Sequence, residues 1–555
     1  MNPPNQTTFD YIIVGGGSAG CVLANRLSKS NSVLLLEAGP SDRALKVRMP
    51  AATPINIQDE SRNWHYKTEP QKRLNHRTLI WPRGRMLGGC SSHNLMVIVR
   101  GHARDYDLWR QLGCEGWSYN DVLPYFKRSE SRASGADDYH GDNGPVHTKR
   151  GHESNLLQDV FIEAGQQAGF PYTEDFNGYQ QEGVGWFDLN IHNGNRWDMG
   201  RAYIWPILSR PNLKLELMAL TTRLLFQGSR ATGVEYERGG RLRKCHASRE
   251  VIVCAGAINS PQLLQLSGLG PAEHLSLLDI PVVADLPGVG ANLQDHLDVA
   301  VQQECTQPVS LYSHMPFYRK AVIGAQWMMF GTGPGATGHS EAGAFIRTDD
   351  SGDVPDIQNH FLPMAITRGN IWPDRHSYQI NVCQLRQDSR GYLKVRSTNP
   401  REHPMIEPNY LQTERDIRVM REGVKITREI MAQPAFDEFR GLEMHPGTSR
   451  SSDADIDQFV RERSETCYHP CGTCKMGTDT DTHAVVDTQL RVRGIEGLRV
   501  VDASVMPTVV SGNLNGPTIM IAEKAADMIM GNTPLPATDV SVADPVARTT
   551  PSRAA

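Results

Sequence analysis

Long hydrophobic runs are missing from this chain of 555 residues. No stretch reaches the ~18 consecutive apolar residues of a bilayer span, so no membrane crossing is expected. A block of clustered Lys and Arg is missing as well. The 57 bases stand against 62 acids, a formal net charge of −5. Without clustered bases, neither nucleic acid nor anionic lipid is expected as the main partner. Cysteine is sparse: ten residues are too few for a disulfide scaffold, and Cys21 and Cys254 sit in apolar runs where a small buried thiol suffices. The opening MNPPNQTT lacks the basic and apolar regions of a secretory leader. A cytoplasmic location, with at most peripheral attachment to a membrane, is expected. Composition also excludes collagen, coiled coil and wholly disordered chains. The one excess is glycine, 50 residues, roughly 9% against an average near 7%.

The glycines have positions that carry chemistry. Residues 10–39 read as an apolar strand, a glycine turn, a helix, a second apolar strand and then Glu37. Gly15, Gly17 and Gly20 satisfy G-x-G-x-x-G. The first turns the chain, the second lets backbone amides approach a pyrophosphate, and the third lets helix meet strand. The helix N-terminus then favours the phosphate charge. Glu37, at the end of the second strand, is placed to accept hydrogen bonds from adenosine ribose hydroxyls. This unit alone does not separate FAD from NAD. A second glycine cluster, RGRMLGGCSSHNLMVIVRG (83–101), contains Gly89, His93 and Asn94 and suits a loop lying flat against a planar cofactor. VIVCAGAINSPQLLQLSGLGP (251–271) again reads strand, turn, helix, with Ser260-Pro261 suited to a helix start. YHPCGTCKMG (468–477) precedes LRVVDASVMPTVVSGNLNGPTIMIAEKAADMIM (498–530).

From about Phe9 to Met530 these motifs, in this order, resemble the glucose-methanol-choline family of flavin alcohol oxidoreductases, and within it the choline dehydrogenase and choline oxidase branch. The resemblance rests on the N-terminal βαβ unit, the 83–101 loop, residues 256–271, His-Pro-x-Gly-Thr at 469–473 and Asn-x-Asn-x-Pro at 513–517. It implies FAD as cofactor. The expected fold class is α/β, with a discontinuous Rossmann-like FAD-binding domain at 1–153, 200–305 and 467–531. An α+β substrate domain with an antiparallel sheet is expected at 154–199 and 306–466, and a disordered tail at 532–555. DIQNHFL (356–362), YQINVCQL (378–385) and GYLKVRS (391–397) read as strands of that sheet, residues 416–433 as a helix, and 214–237 as a meander turning at Gly228-Ser229.

Alcohol oxidation needs a base to take the hydroxyl proton as hydride leaves carbon, and histidine serves near neutrality. His469 occupies the family's base position, and Asn513 the position where relatives carry Asn or His facing the substrate oxygen. An amide donates but does not take a proton, which leaves that task to His469. Asp502 resembles the acid near the flavin ribityl and pyrophosphate, and also suits a cap. His93 stands where choline oxidase bonds its flavin covalently; the plainer reading is a histidine beside the dimethylbenzene edge. Cys471 and Cys474 form a C-x-x-C without the second pair a zinc site wants, and read as structural; no metal is expected. For the substrate, relatives that oxidise choline place Glu where this chain has Asp298, shortened by one methylene, and His360 matches a pocket histidine. These features rank an uncharged primary alcohol first, giving an aldehyde, and choline second. Electrons are expected to pass to O2 or a quinone-type acceptor.

Overall fold

The computed structural model describes residues 7–151, 155–349, 352–366 and 375–545. The segments Met1–Gln6 and 546–555 and the expected domain boundary at 153/154 lie outside them. Two seven-stranded sheets organise the chain, each with its own hydrophobic core.

The first sheet is built on parallel strands. Thr8–Val14 lies between Val33–Leu36 and the long strand Arg241–Val253, and Leu213–Glu216 flanks Val33–Leu36. The long strand changes partners along its length. Residues 241–246 pair antiparallel with Arg230–Arg238, which with Ala219–Gln227 forms the hairpin expected at Gly228. Residues 251–253 then pair parallel with Leu498–Val500. This pairing joins the N-terminal, middle and C-terminal parts of the chain in one sheet. The helices that cover it are tied across 497 residues: Ser18 Oγ donates to Asn515 Oδ1 at 2.7 Å, and Arg26 pairs with the buried Glu523 at 2.7 Å.

The second sheet is antiparallel throughout, in the order Arg440–His445, Leu297–Cys305, Ser377–Gln384, Ile357–Leu362, Ala342–Ile346, Gly183–Trp186, with the seventh strand, Glu465–Thr466, also pairing with Leu297–Cys305. Helix Glu414–Met431 packs against it through Ile417, Met420, Val424, Thr427 and Met431, whose 3-4-3-4 spacing makes one apolar stripe. Thr413 caps this helix by accepting from the Asp416 amide at 3.2 Å.

Three expectations are corrected. Strand Leu297–Cys305, placed in the cofactor domain by the expected boundary at 305, pairs in the antiparallel sheet. Both faces of this strand are buried, so its sequence carries no alternation to show which sheet it joins. Tyr392–Lys394, from the expected strand 391–397, pairs only with Met405–Glu407 in a hairpin of its own. Residues 532–545, expected to be disordered, run along the surface. The Leu535 amide donates to Tyr125 Oη at 3.1 Å, Thr538 N to Asn120 O at 3.0 Å and Ala543 N to Tyr179 O at 2.9 Å, while Leu535, Val540 and Val542 pack on the core. These apolar residues are too dispersed to stand out in a Pro- and Ala-rich segment. Among the described residues no helix is long and apolar enough to cross a membrane.

Candidate active site

Gly15, Glu37, Cys254–Gly256 and Asp502 each follow the carboxyl end of a strand in the first sheet, at Val14, Leu36, Val253 and Val500. That edge is where open parallel sheets bind ligands. Gly15 has φ +103°, and a Cβ there would lie 2.5 Å from Cys254 O. A Cβ on Gly20 would meet Gly15 O at 1.9 Å, and one on Gly89 (φ +55°) would meet Gly17 Cα at 2.8 Å. The turn, the first helix and the 83–101 loop therefore close on one another only with glycine at these points. Helix Ser18–Leu27 begins at Gly17 without a side-chain cap, leaving its N-terminal amides for an anion. Glu37 accepts from Gly16 N and Gly39 N, both at 2.8 Å, and burial pushes its carboxyl up to about 7.

Asp502 acts as a cap and also lines the cavity. One oxygen caps Ser504 N at 2.8 Å; the other accepts from Gly256 N at 2.8 Å and Ser260 Oγ at 2.6 Å, on the wall of the cavity. The helix here starts at Gly256 rather than at Ser260-Pro261, so Pro261 lies inside it. The missing amide of Pro261 would leave Ala257 O short of a donor. Thr473 of the His-Pro-x-Gly-Thr motif supplies one, with Oγ1 donating to Ala257 O at 2.6 Å.

One cavity of about 1470 Å³ runs from Gly15, Gly17 and Glu37 past Gly89, His93 and Asn94 to Asp298, His360, His469 and Asn513. The remaining motif glycine, Gly20, is buried behind it in the first helix. Asn94 is held by Arg196, whose guanidinium donates to its backbone and side-chain oxygens at 2.7 and 2.9 Å. The buried Nε2 of His93 has no hydrogen-bond partner. Burial, reinforced by Arg196, pushes this imidazole down to about 3, so it is neutral.

At the far end stands a relay that fixes the tautomer of His469. His296 Nε2 faces Leu385 O at 3.1 Å, which makes it the protonated nitrogen and His296 Nδ1 an acceptor. His469 Nδ1 lies 3.0 Å from that acceptor and is therefore the donor. His469 Nε2 is left with its lone pair, facing the Asn513 amide nitrogen at 3.2 Å, while Gln358 Nε2 donates to Asn513 Oδ1 at 3.2 Å. The backbone amide of His469 donates to Asp295 Oδ1 at 2.7 Å. Thr466 and Tyr410 hydroxyls donate to Asp295 Oδ2. Burial, then the neighbouring His296 and His360, hold His469 well below the usual imidazole range, and burial pushes His360 down to about 4. His469 is thus a neutral imidazole whose Nε2 lone pair faces the Asn513 amide. His296, Cys383 and His469 also bring potential ligand atoms within 4.8 Å of one another; the His–His hydrogen bond accounts for the closest pair.

Asp298 lies buried on strand Leu297–Cys305. Its Oδ2 accepts from Asn381 Nδ2 at 2.6 Å, whereas Oδ1 is buried without a partner. Burial pushes this carboxyl up to about 7.

Residues 9–298 and 387–522 match the two family profiles described as GMC oxidoreductase. The chain belongs to the GMC oxidoreductase family. It is 52% identical to mouse mitochondrial choline dehydrogenase over 547 residues, covering 97% of this chain and 92% of that protein. It is 50% identical to the oxygen-dependent choline dehydrogenase of Brucella anthropi over 533 residues, 96% and 97% of the two chains. A substituted formate oxidase of Aspergillus oryzae, studied for FAD modification, superposes with TM-score 0.89 at 26% identity, covering 95% of this chain and 99% of that one. The protein therefore has the GMC fold and is an FAD-dependent oxidoreductase acting on CH–OH donors. The glycine cradle, the uncapped helix, Glu37 and the unpartnered His93 Nε2 fit that cofactor.

His296 and Asp295 carry no local signal in the sequence. Their signal is spatial: they meet His469 across 173 and 174 residues.

Proposed function

We propose that the protein oxidises choline to betaine aldehyde, with His469 as the base. The observation that carries this reading is the unpartnered, buried Oδ1 of Asp298 in the cavity that also holds His469. A buried carboxylate with one oxygen unpartnered and no cation beside it is costly to ionise, and a cationic substrate would supply the missing charge. A quaternary ammonium has no N–H to donate and is recognised by charge and by aromatic faces; Trp64 and Tyr468 line the same cavity. The choline dehydrogenase relatives support the same choice. It moves choline ahead of the uncharged primary alcohol that the shortened acid had favoured.

Bound FAD supplies the hydride acceptor. His469 Nε2 takes the hydroxyl proton. The Asn513 amide, which donates to Nε2 when no hydroxyl is there, turns its N–H to the substrate oxygen. His296 Nδ1 accepts a hydrogen bond from His469 Nδ1–H throughout and keeps the ring in the tautomer that exposes Nε2. Asp298 holds the ammonium, and the buried walls around His360 exclude water. Gly15, Gly17, Glu37, Gly89, Asn94 and Asp502 hold the cofactor, with Gly20 letting the helix approach. His93, neutral and with a free Nε2, is proposed as the residue that would hold the flavin covalently: Nε2 would replace a C–H bond of the 8α methyl, with the proton lost to solvent and the electron pair passed through the flavin to its O2 or quinone acceptor. Acid precipitation tests the link: a yellow pellet is expected, and a yellow supernatant over a colourless pellet rules it out.

The test of substrate is kcat/KM for choline against its neutral carbon isostere. A charge contribution of ~2–3 kcal/mol in this buried setting corresponds to a preference of roughly 30- to 150-fold for choline. Equal values would return the uncharged alcohol to first place. For the acceptor, O2 or a quinone, anaerobic reduction followed by mixing with O2 decides: fast reoxidation assigns O2, slow reoxidation a quinone.

A further inference from the structure

Behind His469 stands a thiol that takes no part in the proposed reaction. Cys383 is buried and free on strand Ser377–Gln384. Its Sγ, a ring nitrogen of His296 and a ring nitrogen of His469 lie within 4.8 Å of one another. A second free thiol, Cys467, neighbours that of Cys383 and lines the active-site cavity together with His469, which opens the cluster to that cavity. The two cysteines flank strand Leu297–Cys305 from opposite sides: Cys383 pairs with Asp298, and the Cys467 amide donates to His296 O at 2.9 Å. Their backbones are therefore two strand spacings apart, ~9–10 Å. That exceeds the ~7 Å Cα separation a disulfide tolerates, so the Cys383 sulfur stays available as a ligand.

We propose that His296, Cys383 and His469 form a binding site for a borderline-soft divalent cation, Zn2+ above all. The donor set selects the metal: one thiolate and two imidazoles suit Zn2+, whereas Mg2+ and Ca2+ take oxygen ligands. Bonds of ~2.0–2.1 Å to nitrogen and ~2.3 Å to sulfur put the ligand atoms of a tetrahedral site ~3.3–3.6 Å apart. The Nδ1 atoms of His296 and His469, at 3.0 Å, are already near that spacing. The gaps to sulfur close by about 1 Å at most. Three protein ligands leave the fourth position to water from the cavity.

The protons give binding a consequence. The cation replaces the hydrogen that the two Nδ1 atoms share. That proton moves to His469 Nε2, the nitrogen facing Asn513, and the Cys383 thiol releases its own to solvent. Nothing is oxidised or reduced. With Nε2 protonated, His469 has no lone pair for a hydroxyl proton, and turnover stops. The metal lies on the Nδ1 side of the ring, away from the substrate, so saturating choline does not relieve the inhibition. This loss of turnover rests on His469 being the base; the binding itself does not.

The experiment uses the holoenzyme. Zn2+ binding is measured by equilibrium dialysis, Cd2+ binding by ultraviolet thiolate-to-cadmium absorption, and turnover at saturating choline with each ion present. One ion per chain, a thiolate band and loss of turnover are expected, with no effect of Mg2+. Cys383→Ser and Cys383→Ala are expected to keep flavin, Tm and turnover, and to weaken Zn2+ binding and inhibition at least tenfold, since even the outer-shell partners of a bound metal are worth about 10- to 100-fold in affinity. Cys474→Ser, in the C-x-x-C, is expected to bind Zn2+ as the wild type does. The proposal is overturned by a wild type that binds no Zn2+, or by binding that is unchanged in both Cys383 variants. Inhibition relieved by choline overturns it too, in favour of an ion at Asp298. A Cd2+ band that Cys383→Ser abolishes, with wild-type turnover untouched, supports the metal site and removes His469 as the base.

Discussion

Replacing Asp298 by Asn removes one charge and keeps an oxygen to accept from Asn381. In the wild type the carboxyl is pushed up to about 7, chiefly by burial, with the Asn381 hydrogen bond opposing and Glu465 adding to the rise. If only the ionised form holds a cation, the apparent KM for choline rises about tenfold between pH 8 and pH 6. The neutral isostere lacks this limb. His469 does not imitate it, because its pKa is held well below the usual imidazole range. The Asn variant loses the limb and, at pH 8, roughly 30- to 150-fold in kcat/KM for choline but little for the isostere. Stability moves the other way. A folded-state pKa raised above its unfolded value gives stability that is present below pH ~4 and lost as pH rises through ~7, a difference of about 4 kcal/mol. The Asn variant without choline therefore melts higher than the wild type at pH 8 and not at pH 4. Steady-state kinetics at several pH values and thermal melts check both halves. Coincident pH profiles for choline and the isostere, or a variant that keeps the limb, would refute the assignment.

Other outcomes follow from the relay and the motif. His469→Ala is expected to keep bound flavin and to slow flavin reduction by about 10²- to 10⁴-fold; near-normal anaerobic reduction in stopped flow would remove it as the base. His296→Leu takes away the acceptor for the Nδ1 proton, so kcat should fall with KM little changed and with flavin retained; a pure KM effect would contradict a positioning role. Thr473→Val leaves Ala257 O without its donor inside a buried helix turn and should cost about 1–3 kcal/mol, seen as a lowered Tm and easier flavin loss. An unchanged Tm would show that another group satisfies that carbonyl.

The cofactor half of the protein is legible in the sequence because its constraints are local. A turn at positive φ, a helix touching a strand and an acid at a strand end each fix a residue type at a short spacing, as Gly15, Gly20 and Glu37 do. His469, the proposed base, stood out for a related reason, since it sits in a Pro- and Gly-bounded turn. Asp295 and His296 were not, because a hydrogen bond across more than 170 residues leaves no local periodicity. The sheet that strand Leu297–Cys305 joins was not legible, because the strand is buried on both faces. The exposed helix Phe317–Phe330 reads in sequence like any apolar helix, and only its packing shows that Trp327 faces inward while Phe317 and Met329 face out.

The sequence by itself thus determined the family, and it singled out the strand-end glycines and His469, the proposed proton acceptor, because these depend on residue type at fixed short spacing. The tertiary structure decided which nitrogen of His469 is free, that Asp298 has an unpartnered oxygen, and which apolar surface lacks a neighbour. Each of these is a statement about what a group does or does not touch, and the folded chain brings those contacts together from strands and loops far apart in sequence.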